Sequence, residues 1–310
     1  MAVTTTSQWS SDVLINYVTA EVRTLEPMLQ LARLGVQRDV PKGFHQVTFP
    51  QTNQIATSSV STITEGVDPS SVTWGSTAYS SGITQYGLVV QISDVTVRNS
   101  AIETVDAAIR QVKFSVARRI DNGLQTTVTG GSNGILYGGA KASRAALAAG
   151  DVIDVAQFTK GVRNLRQSNS AGLNPMGDGY YGVVMHPLQE YDLFTNTGAG
   201  GFLDVGRYTS VDDLRQGKVG QFRGARVLSS ANVQTFSSTV TVYPAMFLGD
   251  ESFGWGYFQP LTPNIVSTAD SNNPLFVYTT VGAKAGIGST RFDDGTNTYR
   301  IVRLETSVSA

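Results

Sequence analysis

The chain has 310 residues, 41% of them hydrophobic and 15% charged, with a formal net charge of −1 and no cysteine. This composition supports a packed core and excludes wholesale disorder. It also excludes a strongly basic nucleic-acid footprint, a disulfide framework, a thiolate metal site and a cysteine nucleophile. Neutral polar residues replace much of the usual charge, and such a surface packs against another protein at a lower desolvation cost. The N-terminus lacks a basic segment followed by an apolar block, and no window approaches 18 uninterrupted apolar residues. Neither a secretory signal nor a membrane span is expected, and the chain reads as soluble and cytoplasmically made.

Residues 1–10 read as an arm. From Ser11 to Leu34, Leu14, Val18, Val22, Leu25, Leu29 and Ala32 recur at helical spacing, with Pro27 placing a kink near Glu26 and Gly35 a stop. Val47 and Phe49 then alternate with Gln46 and Thr48 as in a half-buried strand, and Tyr86, Leu88, Val90 and Ile92 share one face of a second strand. Between these strands Thr52 to Ser81 holds 14 serines and threonines in 30 positions, with no lysine or arginine. A long hairpin joining the two strands is the simplest connection, with its turn in Glu65–Ser71. About 15 residues each way would reach on the order of 50 Å. Two strands alone are marginal in water, so such an arm needs another surface to lie on.

The strongest helical pattern follows in Ile102, Val105, Ile109, Val112, Val116 and Ile120. Ser100 and Glu103 match a capping box and Gly123 a stop, giving a spine of about 24 residues, roughly 36 Å long. Residues 125–150 read as irregular. After Asp154, Val155, Phe158, Val162 and Leu165 mark another helix; "YYGVVMHP" reads as a buried strand whose proline opens "PLQEYDLFTN". Further strands are expected from Ala225 and in "STVTVYPAMFLGD", and Leu275 onward is strand-like with a hairpin signal at Asp294–Gly295. The mixture is α+β.

Catalytic patterns are weak. "GGSNG" puts Ser132 in a nucleophile-elbow spacing, but a helix precedes it and no helical pattern follows. "GILYGGAKAS" has Ala140 where a phosphate loop requires lysine. "GAGGF" and "GIGST" lack the dinucleotide fingerprint. His45 and His186, the two histidines, lie 141 positions apart without ligand-spaced partners. Asp293 and Asp294 fit a solvated turn better than a cation site. No catalytic, metal or cofactor residue is assigned. Arg118 and Arg119 near the end of the spine helix complement its dipole or meet an acidic group such as Glu65 or Asp68 on a neighbour. Trp74, within the polar excursion, has no burial on its own arm and fits an anchor against another subunit.

The order of these parts, with "VPKGFHQVTFPQ", "TITEG", "TQYGLVVQISD", "GKVGQFRGARVLSS" and "VGAKAG", resembles the major capsid proteins of tailed bacteriophages across most of residues 11–308. That resemblance implies an N-terminal arm and helix (1–43), an extended β-hairpin loop (44–95), a peripheral domain with the spine helix (96–150 and 261–310) and an axial mixed α/β domain (151–260). It implies pentamers and hexamers in an icosahedral shell around double-stranded DNA, with the hairpin across a neighbour through Glu65, Asp68, Trp74, Tyr79, Arg118 and Arg119. Portal, scaffolding and cement proteins would be partners, in a virion capsid assembled in the bacterial cytoplasm. Many members begin with a long scaffolding segment, whereas about ten residues precede the first helix here. Scaffolding is then expected from a separate chain, from a removed segment, or not at all. No lysine lies between Phe44 and Ser93, so no covalent cross-link through the hairpin is expected. The same fold also suits a nanocompartment shell, and a hydrolase using Ser132 is the remaining rival.

Overall fold

The computed structural model describes residues 31–40, 43–53, 55–63, 65–100, 103–132, 134–167, 173–196, 221–269, 273–292 and 299–309. The expected helix over residues 11–34 falls outside them except for a short 3-10 turn at Leu31–Arg33. The hairpin signal at Asp294–Gly295 lies outside them as well.

The chain runs through β1 (Val36–Gln37), β2 (Gln46–Thr52), β3 (Ser76–Gly82), β4 (Thr84–Ser93), α1 (Asp94–Asn99), α2 (Thr104–Thr129) and β5 (Ile135–Tyr137). It continues with α3 (Val155–Arg166), β6 (Tyr181–Met185), α4 (Pro187–Thr195), β7 (Gln221–Phe222), β8 (Ala225–Ser229) and β9 (Phe236–Ser237). Three long strands and a shorter one complete it: β10 (Thr241–Leu248), β11 (Phe253–Val266), β12 (Tyr278–Arg291) and β13 (Ile301–Thr306).

One sheet has the order β1-β11-β12-β4. Its inner face carries Trp255, Val281, Ala283, Ala285 and Ile287, which bury against Val112, Val116, Ile120, Leu124 and Val128 of α2. The second sheet has the order β5-β13-β10-β6-β8-β7, with β9 on β10. Its core joins Phe158, Val162 and Leu165 of α3 to Val183, Phe247, Val302 and Leu304. The expected division at 260/261 does not follow these sheets. It falls inside β11, and β13 lies beside β5 and β10 in the second sheet.

Several local expectations are corrected. The strands flanking the excursion do not pair with each other: β2 pairs with β3, while β4 joins β12. Tyr86 and Val90 pack beneath α2, and that burial draws β4 into the four-stranded sheet. Ser100 does not open the spine helix; it closes α1, whose cap is Ser93, with Oγ accepting from the Thr96 amide at 3.2 Å. Glu103 is the residue before α2, one turn too early to serve as a capping-box partner, and its side chain makes no cap bond. Gly123 lies inside α2, which runs to Thr129. The buried stripe continues through Leu124 and Val128, and their packing outweighs a glycine cost of about 1 kcal/mol. Asp154 precedes α3 as expected but caps nothing with its side chain; its carboxylate accepts from Asn196 Nδ2 at 2.9 Å.

Candidate assembly interface

The excursion has a seated base and an exposed remainder. β2 and β3 pair in register from Gln46↔Gly82 to Thr52↔Ser76. Alternation turns Val47 and Phe49 inward, where they form a small core with Phe292, joined by Val36, Val40 and Tyr79. Phe49 and Tyr79 lie 5.1 and 5.4 Å from the Phe292 ring, centroid to centroid. Arg38 reaches across the Phe49 ring at 5.6 Å and donates to the Thr48 carbonyl at 3.3 Å. Glycines on β11 and β12 make room: a Cβ at Gly254 would fall 2.5 Å from Phe49 Cζ, and one at Gly288 would fall 2.8 Å from Val47 Cγ2.

Beyond Thr52 the support ends. Ile55, Val60, Ile63, Val67, Val72 and Trp74 are exposed large hydrophobics, with Ile63 78% and Trp74 65% accessible. Burying each such side chain contributes about 1.5–3 kcal/mol, so leaving six in water is a cost that a partner can remove. The neck is nonetheless ordered by hydrogen bonds. Trp74 donates its indole N–H to the Asn53 carbonyl at 2.8 Å, Thr77 donates to Asn53 Oδ1 at 2.8 Å, and the Asn53 amide donates to the Gly75 carbonyl at 3.0 Å. With its one donor satisfied locally, the Trp74 ring presents an apolar face. The expected turn lies at Glu65–Gly66, where Gly66 adopts a positive φ of 80°.

The sequence-predicted contact residues divide between exterior and interior. Glu65, Asp68 and Trp74 are exposed on the excursion. Tyr79 packs within its own subunit, on Phe292. Arg118 donates to Asn232 Oδ1 at 2.7 Å, and Arg119 sits 5.5 Å above the Tyr86 ring. The two arginines therefore already have uses inside the subunit. The glycines that seat the hairpin base were not singled out from the sequence. Their signal was present in "GWG" (254–256), because i, i+2 spacing places both glycines on one face of a strand.

The hydrolase reading finds no assembled site. Ser132 lies on an exposed bend after α2. His186 is occupied as the cap of α4: its Nδ1 accepts from the Leu188 amide at 3.2 Å, while Gln189 Oε1 accepts from the His186 amide at 3.4 Å. A cleft of about 550 Å³ beside α3 is lined by Tyr137, Lys141, Asp154, Gln157 and Lys160, and by neither Ser132 nor His186. Among the described residues, no three histidine, aspartate or glutamate side chains cluster as metal ligands, and no helix is long and apolar enough to cross a membrane.

A family model described as phage capsid protein matches residues 79–273, more than half of the chain. The chain belongs to the phage capsid protein family. The capsid protein also shares its fold with solved capsids. The Ralstonia phage GP4 capsid is 15% identical with a TM-score of 0.72, over 100% of this chain and 99% of that one. The cyanophage Pam1 capsid is 14% identical with a TM-score of 0.70, over 97% and 98%. The capsid of Helicobacter pylori bacteriophage KHP30 is 11% identical with a TM-score of 0.71, over 94% and 95%. No curated protein sequence matches the chain. The fold is the tailed-phage capsid fold, and the protein is a major capsid protein, a structural subunit that self-assembles into the shell. The nanocompartment and hydrolase readings are not favoured.

Proposed function

We propose that the capsid protein closes an icosahedral shell in which the excursion of each copy lies on an adjacent copy. The observation that carries this is the contrast within one hairpin: a base packed on Phe292 and a remainder exposing Ile55, Val60, Ile63, Val67, Val72 and Trp74. An arm held at its root and unburied along its length is suited to a neighbour. Repetition around a closed shell turns modest pairwise contacts into a stable whole. The four-stranded sheet with α2 serves as the peripheral unit and the seven-stranded sheet as the axial unit around which pentamers and hexamers form. The shell encloses double-stranded DNA and contacts it without sequence specificity, since a chain of net charge −1 carries no strongly basic footprint. Its role is structural rather than enzymatic. Portal, scaffolding and cement proteins are its partners, and assembly takes place in the bacterial cytoplasm. With no lysine between Phe44 and Ser93, the overlap is non-covalent.

The test replaces residues 55–74 with a short Asn-Gly turn, which keeps the paired base of β2 and β3. The expected result is a folded subunit, by circular dichroism, that forms no shells in negative-stain microscopy. Normal shells from this variant would refute the proposal. Nuclease-protected DNA inside particles from the native source supports genome enclosure; an enclosed enzyme instead of DNA would favour a nanocompartment.

A further inference from the structure

Where the excursion returns to the body of the subunit, three elements enclose a cavity of about 280 Å³. The end of β3 and the start of β4 contribute Ser81, Thr84 and Tyr86, α2 contributes Arg119, Thr126 and Thr127, and β12 contributes Ser289. Six of these seven side chains carry hydroxyls and the seventh is a cation. Among the described residues, no carboxylate lines the cavity.

Arg119 sets the chemistry. Its guanidinium lies 5.5 Å from the centre of the Tyr86 ring, and its N–H groups meet no acceptor among the described residues. The adjacent Arg118, by contrast, is engaged by Asn232. The Tyr86 hydroxyl also has no partner among the described residues, and a Cβ on Gly123 would stand 3.4 Å from it. Glycine inside a helix costs about 1 kcal/mol, and here it leaves room for that hydroxyl. Thr127 and Ser289 share a hydrogen bond of 2.7 Å that ties the α2 and β12 walls together.

Hydroxyls rotate to donate, and a guanidinium offers a planar fork that matches a tetrahedral oxyanion. Hydrogen bonds to an ionised acceptor are roughly twice as strong as neutral ones, so this lining favours an anion over water. The volume is below the roughly 300–1,000 Å³ of pockets for drug-sized ligands and suits one small hydrated ion.

We infer that the cavity is a binding site for a phosphate group, held by Arg119 with the hydroxyls of Thr84 and Tyr86. A phosphate bound there bridges the root of the excursion, α2 and β12. Two sources share this chemistry, free inorganic phosphate and the DNA backbone. The site stands on its own lining and does not rest on where the excursion lies.

The experiment uses the unassembled subunit and inorganic phosphate, with chloride at matched ionic strength as the reference. Phosphate is expected to raise the melting temperature with concentration, as a ligand of the folded state does, and its phosphorus NMR resonance to broaden. Arg119→Gln, at an exposed side chain, is expected to melt close to the parent in chloride and to bind phosphate about tenfold or more weakly. Arg118→Gln removes the same charge one residue away, from a side chain already held by Asn232, and is expected to keep the parental phosphate affinity. Phosphate that acts on the parent no differently from chloride would overturn the site, whatever the variants do. Equal affinity in the parent and Arg119→Gln would overturn it too, as would equal losses in the two arginine variants, which reduce the effect to net charge. A short DNA duplex then separates the sources. Displacement of bound phosphate assigns the site to the DNA backbone, retention assigns it to free phosphate, and each result upholds the site.

Discussion

Arg118 donates from Nε to Asn232 Oδ1 at 2.7 Å, tying α2 to the loop that follows β8. Asn232 in turn donates from Nδ2 to Asp121 Oδ2 and Asn122 Oδ1, both at 2.9 Å. Gln125 closes the knot, donating to Asp121 Oδ2 at 2.8 Å and to the Asn232 carbonyl at 2.9 Å. Asp121 is buried, so its carboxylate depends on these donors. Asn232→Ala removes several bonds at once and leaves that carboxylate short of a donor. It is expected to destabilise the unassembled subunit by about 1–3 kcal/mol, whereas Arg118→Ala, at an exposed end of the network, costs about 0.5–1.5 kcal/mol. Denaturant midpoints of the two variants check the order; the reverse order would show that Arg118, not Asn232, holds the clamp.

Glu305 is fully buried between two guanidinium groups. Arg144 donates to it twice, at 2.6 and 2.7 Å, and Arg303 Nε lies 2.8 Å from Oε1. The Phe236 ring sits 3.9 Å from Arg144, and Arg303 also donates to the Thr129 carbonyl. The Glu305 contact raises the Arg144 pKa, while burial lowers that of Arg303. Glu305→Gln preserves shape but leaves the buried Arg303 charge uncompensated, a loss of about 3–5 kcal/mol. Thermal melting of the subunit measures it, and an unchanged melt would count against a structural role for the triad.

His186 gives the subunit a pH dependence. Partial burial lowers its pKa below the ordinary value near 6.5, so the folded state favours the neutral ring. Neutral Nδ1 is also what accepts the Leu188 amide at the start of α4. Below the ordinary value, the unfolded chain takes up the proton first. Stability contributed by His186 is therefore complete above that value and is lost as pH falls through the lower folded pKa. His186→Asn keeps an acceptor at the cap and removes the titration. Melting temperatures measured between pH 7 and 5 are expected to fall more steeply for the parent than for this variant.

The legible part of this fold was its periodic part. Helical spacing located α3, alternating and buried apolar runs located β2, β6 and β10, and the order of parts pointed to the capsid fold. The misread features were those decided by tertiary burial. Gly123 looks like a stop until Leu124 and Val128 are seen to continue the buried stripe. Ser100 with Glu103 has the spacing of a capping box, yet the chain spends Ser93 on a separate short helix first. At the interface, the exposure of Trp74, Glu65 and Asp68 followed from composition alone. Asn232 was invisible because its partners lie more than 100 residues away in sequence.

The seating of β2 predicts an asymmetry among glycines that look alike in sequence. A Cβ at Gly256 would be driven into the Arg38 carbonyl, on a segment held by the Arg38 amide donating to the Trp255 carbonyl at 2.9 Å. Backbone on both sides leaves no flexible group to yield. Gly256→Ala is expected to cost about 1–3 kcal/mol, in the range of overpacking. It should also unseat the hairpin base, exposing the β2–β3 region to limited proteolysis in the unassembled subunit. Gly286→Ala, in a position with room, is expected to leave both stability and the proteolysis pattern unchanged. Equal behaviour of the two variants would mean that the base of the excursion is not fixed by the glycines of β11 and β12.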